Sequence, residues 1–227
     1  MKLMKTGIIV PVYNVGERLT KLISELVHYI PKEQIFIIND GSTDGCTAVC
    51  RQSGYTVYDH QENRGKGQAL KSGFQLAIKA DMDSVITMDG DGQHDPCYIP
   101  EFLNIARKTN ADLVLGLRAF RLGIMPVDRI FSNYISSLIT SIAAGKRILD
   151  SQNGYRFIRT DVLKSINLKT RHYEFETEIL IRAARKKYSI TYCPISLIYN
   201  GSTSHIHRLK DMGRFCRMIL RSFCPDA

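Results

Sequence analysis

The 227-residue sequence has no run of about 20 apolar residues, so no membrane-crossing helix is expected. Its N-terminus, MKLMKTGIIVPVYN, is basic and then apolar only from Gly7 to Val12 before a turn; a strand is expected there rather than a signal peptide. No two of the six cysteines (Cys46, Cys50, Cys97, Cys193, Cys216, Cys224) form a CxxC pair. That spacing argues against zinc and for free thiols in a reducing cytosol. Internal repeats, low-complexity runs and Pro/Gly/Ser linkers are also missing. The formal charge of +9, from 31 Lys+Arg against 22 Asp+Glu, implies an anionic partner such as a nucleotide or an anionic membrane. It comes with no helix-turn-helix, zinc-finger or aromatic RNA-binding motif, and the cations are dispersed or amphipathic, which argues against nucleic acid.

What is there alternates. Strands are expected at 7–12, 34–40, 55–60, 84–89 and 111–118. Between them lie helical patterns at 17–30, 67–80 and 99–109, with a short helix in 41–54; Leu19, Leu22, Ile23, Leu26 and Ile30 carry helical spacing in the first. Such alternation predicts an α/β fold with a mainly parallel sheet covered on both faces. The second half is less regular: helices at 129–145, 174–187 and 209–223, a strand running into a helix at 154–163, and an extended stretch at 189–200 broken by Pro194. A catalytic domain over 1–204 and a C-terminal amphipathic helix within 205–227 are expected.

The stretch ITMDGDGQHDP (86–96) runs from a probable strand straight into acids and glycines. On a strand, Asp89 and Asp91 would point to one side. Two carboxylates so close repel unless a cation joins them or one is protonated. Mg²⁺ or Mn²⁺ bound by both together with phosphate oxygens fits, with Gln93, His94 and Asp95 adding polar contacts, and Gly90 permits close approach of a ligand. The bland alternative is a solvated turn with an Asp-Pro helix start at Asp95-Pro96. Asp40, ending the second strand, could accept hydrogen bonds from a base or ribose, or it and Asp44 could serve capping alone. NRGKGQALKSGF (63–74) sets Arg64 and Lys66 among glycines at a helix start, which suits an anion, without Walker spacing.

Taken in order, PVYN, NDGSTD, NRGKGQAL, MDGDGQHDP, DSQNGYRF and YEFETEIL resemble the family 2 glycosyltransferases of GT-A fold, over about residues 7–200. The branch most resembled is the dolichol-phosphate mannose synthase-like group. The resemblance implies transfer from a nucleotide sugar, GDP-mannose or a UDP-hexose, to a polyprenyl phosphate. It places Pro11, Tyr13 and Asp40 in the nucleoside pocket, with Asn14 where the group commonly has Glu. It assigns Asp89, Asp91 and Gln93 to a Mg²⁺ or Mn²⁺ that bridges the donor diphosphate. Arg118, Arg129 and Asn133 are placed near donor and acceptor phosphates. Asp150, Gln152 and Arg156, and Glu176 or Glu178, border the sugar and acceptor side. Near His205, a candidate phosphate contact, Tyr199 and Asn200 stand where an Arg often precedes Gly-Ser.

Departure of a nucleoside diphosphate builds charge on the leaving phosphate, which a divalent cation and nearby Arg or Lys stabilise; in-line attack would invert the anomeric centre. A phosphate acceptor is already ionised near neutral pH and needs little help from a base. Asp150 is the candidate for acceptor-side help, against a loop carboxylate paired with Arg156. Glu176 and Glu178 are two apart on a helix and do not share a face, so at most one faces the site and the other is solvated or paired with Arg182.

On the C-terminal helix Lys210, Arg214, Arg217 and Arg221 stack on one side, with Leu209, Met212, Phe215, Cys216, Ile219 and Phe223 on the other. This suits a peripheral position at the cytoplasmic face of a membrane; the alternative is ordinary packing on the core. The uncharged helix 130–145 is a second interface candidate. A glycan or glycolipid hydroxyl acceptor, a non-catalytic nucleotide-sugar binder, a membrane-protein partner and a homodimer all stay open.

Overall fold

A computed structural model describes residues 4–118, 127–196 and 208–223, with the side chains of 127–129 and 208–209 outside that description. Arg129 and His205, both expected near phosphates, therefore lie outside it. The strands are β1 (Thr6–Val12), β2 (Ile35–Asn39), β3 (Val57–Asp59), β4 (Ser84–Thr87), β5 (Leu113–Arg118), β6 (Arg156–Arg159) and β7 (Ile190–Ile195). The helices are α1 (Arg18–Leu26), α2 (Ala48–Gln52), α3 (Lys66–Lys79), α4 (Ile99–Thr109), α5 (Val127–Ala144), α6 (Thr160–Ser165), α7 (Glu174–Arg185) and α8 (Arg208–Ser222).

The strands form one sheet in the order β3-β2-β1-β4-β6-β5-β7. It is parallel except at β6, which runs against both β4 and β5. Every residue of β1 is buried, as expected of a central strand covered on both faces. The period of two sorts its side chains. Ile8, Val10 and Val12 join one core layer with α1 and α4 residues such as Leu22 and Phe102. Ile9 faces the other layer, with Phe74 of α3 and Ile179 of α7. From β1 the chain adds β2 and β3 on one side, then returns to place β4 on the other. The carboxyl ends of β1 and β4 thus flank the point where strand order reverses, the crevice where such sheets bind ligands.

Among the described residues no helix is long and apolar enough to cross a membrane. The five described cysteines carry free thiols.

Candidate active site

Strand β4 stops at Thr87, so Asp89 and Asp91 stand on a turn, not on a strand. The alternation argument for their common direction therefore does not apply. The turn is set by Gly92 at φ 73° and closed by Gln93 N–H donating to Asp91 Oδ1 at 3.0 Å. His94 fixes its start. The Asp89 N–H donates to His94 Nδ1 (3.1 Å), so the ring proton sits on Nε2 and is shared with Asn153 Oδ1 (3.1 Å). Burial lowers the His94 pKa below the usual histidine value, in keeping with this neutral form. Asp95 accepts from Cys97 N–H at 2.8 Å ahead of Pro96, the helix-start role that its sequence allowed. Gly90 is indeed closely approached, but by the protein: a Cβ there would sit 2.6 Å from Val12 Cγ1.

Lys66, the first residue of α3, reaches into this turn. Its Nζ lies 2.6 Å from Asp89 Oδ1 and 3.0 Å from Glu176 Oε2. Burial works against the ammonium, yet the two carboxylates outweigh it and hold the Lys66 pKa above the usual lysine value. Burial likewise raises Asp89, but Lys66 and then His94 bring its carboxyl below the ordinary range. Asp91 goes the other way: burial, then the charge of Asp89, raises it. Gly154 closes over the trio. A Cβ there would lie 2.8 Å from Glu176 Oε1, 3.0 Å from Lys66 Nζ and 3.2 Å from Asp89 Oδ1, so a side chain at this position would displace the trio from its present arrangement. Glu176 Oε1 is buried and has no hydrogen-bond partner. Glu178 points away and pairs with Arg182 at 2.7 Å, so only Glu176 faces the site.

The loops after β1 and β2 are stitched together. Asn14 sits in the left-handed region (φ 50°); its Oδ1 accepts from Thr43 N–H (2.8 Å), and its own N–H donates to Ser42 Oγ (3.1 Å). Pro11 is buried beneath this junction and Tyr13 is half-buried beside it. Asp44 accepts from the N–H groups of Gly16 and Cys46.

Three expectations change. Asp40 is not presented to a base or ribose. It is 3% exposed, and its carboxylate accepts from Arg64 N–H (3.0 Å), Gly65 N–H (2.8 Å) and the His60 ring (2.6 Å), which in turn meets Ser72 Oγ at 3.0 Å. The anion expected in the NRGKG cradle is thus the protein's own Asp40, which positions the loop that carries Lys66. Asp150 is not a poised base. It is fully buried and held two-pronged by Arg118, Nε to Oδ2 and Nη2 to Oδ1, both 2.7 Å. The pair occupies those guanidinium donors that were expected to meet phosphates. Finally, Arg156 is 1% exposed, and its guanidinium donates to the backbone carbonyls of Ser151, Asn153 and Glu176. It clamps the 150–154 loop to α7 instead of facing an acceptor, because a buried guanidinium must satisfy its donors internally. Gln152 is exposed and Asn133 half-buried on α5. Asn153, which donates to Gly116 O at 2.7 Å while bracing His94, was not singled out from the sequence; its only sequence signal was its place inside DSQNGYRF.

Asp150→Asn separates the two roles. Loss of the charge opposite half-buried Arg118 is expected to cost on the order of 3 kcal/mol of stability. The pH dependence of catalysis should stay as in the unaltered protein. A stable variant that has lost the acid limb of its pH–rate profile would restore Asp150 as a base.

Asp89 and Asp91 offer hard oxygen ligands, the right chemistry for Mg²⁺ or Mn²⁺. Among the described residues no group of three or more His, Cys, Asp or Glu side chains could hold a metal ion alone. The donor set therefore fits an ion that takes its remaining ligands from substrate phosphates and water.

The family model for glycosyl transferase family 2 matches residues 7–168. The chain belongs to this family. It is 30% identical over 206 residues to the undecaprenyl-phosphate mannosyltransferase of Micrococcus luteus, covering 86% of this chain and 84% of that protein. It is 28% identical over 204 residues to the polyprenol monophosphomannose synthase of Mycolicibacterium smegmatis (85% and 77%). A third relative is the UDP-N-acetylglucosamine–dolichyl-phosphate N-acetylglucosaminyltransferase of Methanococcus voltae, 27% identical over 214 residues (85% and 85%). Among solved structures, glucosyl-3-phosphoglycerate synthase from Mycobacterium tuberculosis superposes with a TM-score of 0.76 at 16% identity, covering 97% of this chain and 81% of that one. Its complex with Mn²⁺, UDP and glucosyl-3-phosphoglycerate gives 0.72 at 17% identity (97% and 78%). The fold is GT-A, and the family 2 chain is a glycosyltransferase.

Proposed function

We propose that this glycosyltransferase moves a sugar from a nucleotide sugar to a polyprenyl phosphate, with a divalent cation at Asp89 and Asp91. The observation that carries the acceptor class is that the three acids expected on the acceptor side are each engaged with a cation of the protein. Asp150 is locked to Arg118, Glu178 to Arg182, and Glu176 to Lys66. A hydroxyl acceptor needs a proton removed; an ionised phosphate does not. The three relatives named above are all, by name, polyprenyl- or dolichyl-phosphate transferases.

In this reading Asp89 and Asp91 would hold the ion, with Gln93 beside them, and once bound it would supply positive charge against the departing diphosphate. The chain's own groups do the rest. Lys66 keeps Asp89 ionised and aimed into the crevice. Glu176 Oε1, buried and unpartnered, accepts a hydroxyl of the sugar. Pro11, Tyr13 and Asn14 wall the nucleoside side at the β1 end, and their coupling to the Ser42–Asp44 loop keeps that wall rigid.

A lipid acceptor requires a membrane surface. Large apolar side chains stand exposed on two adjoining helices. On α5 they are Phe131, Tyr134, Leu138 and Ile142; on α8 they are Met212 and Leu220, with Phe223 just past its end. Met218 and Ile219 of α8 are buried in the core, so the expected apolar face divides: one strip packs inward and another stays outside. The outer strip lies beside the basic one, the pattern of a helix resting at an anionic interface.

The test offers GDP-mannose, UDP-glucose and UDP-N-acetylhexosamines with undecaprenyl or dolichyl phosphate in vesicles, plus Mg²⁺ or Mn²⁺. Glycolipid formation is expected with one donor. Phe131→Ser with Leu220→Ser should slow transfer to vesicle-bound lipid about tenfold, each large apolar contact being worth roughly 1.5–3 kcal/mol at most, while donor hydrolysis is unchanged. Hydrolysis alone with every donor, or transfer only to a hydroxyl acceptor, would overturn the lipid-phosphate reading.

A further inference from the structure

On the side of α7 turned from Glu176, a groove of about 490 Å³ runs between α7, α8 and the loop 166–172. Its walls are strongly cationic. Some of these cations are satisfied within the protein: Arg182 by Glu178, Arg214 by Asp211, and Arg185 by the carbonyl of Ala143. Four others that line it, Lys169, Arg171, Arg217 and Arg221, have no carboxylate partner among the described residues. All four are exposed. They come from two separate segments that the fold brings to face one another, so their positive charges lie together.

One acid lines the same groove without a partner. Glu174 is 8% exposed, and its Oε2 is buried with no hydrogen-bond partner. A buried carboxylate oxygen beside basic side chains, yet bonded to none, calls for a donor. Glu174 and Glu176 are two apart on α7 and face different sides of it, so this orphan oxygen is distinct from the one in the active site. A bare phosphate answers the arginines but is repelled by Glu174. A neutral polyol answers Glu174 but leaves the arginines unmatched. A molecule that carries both a phosphate and hydroxyl groups answers both, the phosphate accepting from guanidinium donors and a hydroxyl donating to the carboxylate.

We propose that the α7–α8 groove is a second ligand site, which takes a phosphorylated polyol with its phosphate on Arg171, Arg217 and Arg221 and a hydroxyl on Glu174. The ligand is either a soluble phosphate ester or the headgroup of a glycerophospholipid. The experiment uses the full chain and needs no sugar transfer. Calorimetric titration measures glycerol 3-phosphate against inorganic phosphate. Co-sedimentation compares phosphatidylcholine vesicles with and without phosphatidylglycerol, with glycerol 3-phosphate as competitor. Saturable binding of glycerol 3-phosphate, tighter than inorganic phosphate, is expected for a soluble ligand; phosphatidylglycerol-dependent sedimentation that glycerol 3-phosphate relieves is expected for a headgroup. In either case Arg217→Glu with Arg221→Glu should weaken binding by tenfold or more. Both positions are exposed, and circular dichroism will show that the variant is folded. Glu174→Gln should narrow the preference for glycerol 3-phosphate over inorganic phosphate. Binding to neither probe, equal affinity for glycerol 3-phosphate and inorganic phosphate, or unchanged binding in the double arginine variant would each overturn the proposal.

Discussion

Asp91→Ala is expected to lower sugar transfer roughly a thousandfold, the scale on which removal of a charge-stabilising contact acts, while the fold stays as stable or becomes more so. The two halves of this expectation have one cause. Asp91 stands on the turn beside Asp89, and burial together with that neighbour's charge raises its pKa. A carboxyl raised in the folded state stabilises the fold below its pKa and loses that contribution as pH climbs through it. Once ionised, Asp91 is therefore a liability to the folded protein, kept where a cation would compensate it. Its removal relieves repulsion. Thermal unfolding with and without Mn²⁺ checks this: the unaltered chain should gain stability from the ion, and the variant should not. A variant that transfers at full rate in the presence of chelator would refute the role of the acid pair.

Strand and helix placement was legible because the sheet is buried on both faces. GIIVPV and IFIIN are continuous apolar runs, and parallel covered strands demand them. The antiparallel β6 was less so. Its RFIR is framed by two arginines with opposite fates, Arg156 deep in the fold and Arg159 near its surface, and no local pattern separates them. The acid pair after β4 was legible as chemistry, since two carboxylates and two glycines in five residues have few structural uses. Their placement was not, because the strand stops two residues before Asp89.

What sequence proximity hides is pairing. Arg118 and Asp150 are 32 positions apart, and Asp40 lies 24 positions before the Arg64 amide it accepts from. Each of these residues has the composition of a ligand contact. Only the tertiary arrangement reveals that another part of the chain already serves as the ligand. The same holds for Lys66. A lysine among glycines at a helix start reads as an anion site, and it is one, but the loop amides take Asp40 and the ammonium takes Asp89 and Glu176. The charges of the candidate site are thus held by an internal framework of ion pairs.

That framework predicts a reversal in Lys66→Met. The Lys66 pKa is raised in the fold, so its stabilisation is fully present at neutral pH and is lost only as pH rises through a value above the ordinary lysine range. Without the ammonium, Asp89 and Glu176 confront each other with no cation between them, and the loss of one partner from a buried cluster costs about 3–5 kcal/mol. The two acids would then share a proton, as close buried carboxylates do. Their raised pKa makes the variant steadily more stable as pH falls from 8 toward 5, where the unaltered chain gains nothing from this site. Urea unfolding across that range reads the difference as a steeper rise in stability toward low pH in the variant than in the unaltered chain. Glu176→Gln added to Lys66→Met should recover most of the lost stability at pH 8, because one of the two unpaired charges is gone, but not sugar transfer. A single variant as stable at pH 8 as the unaltered protein would mean that Lys66 does not hold the cluster together.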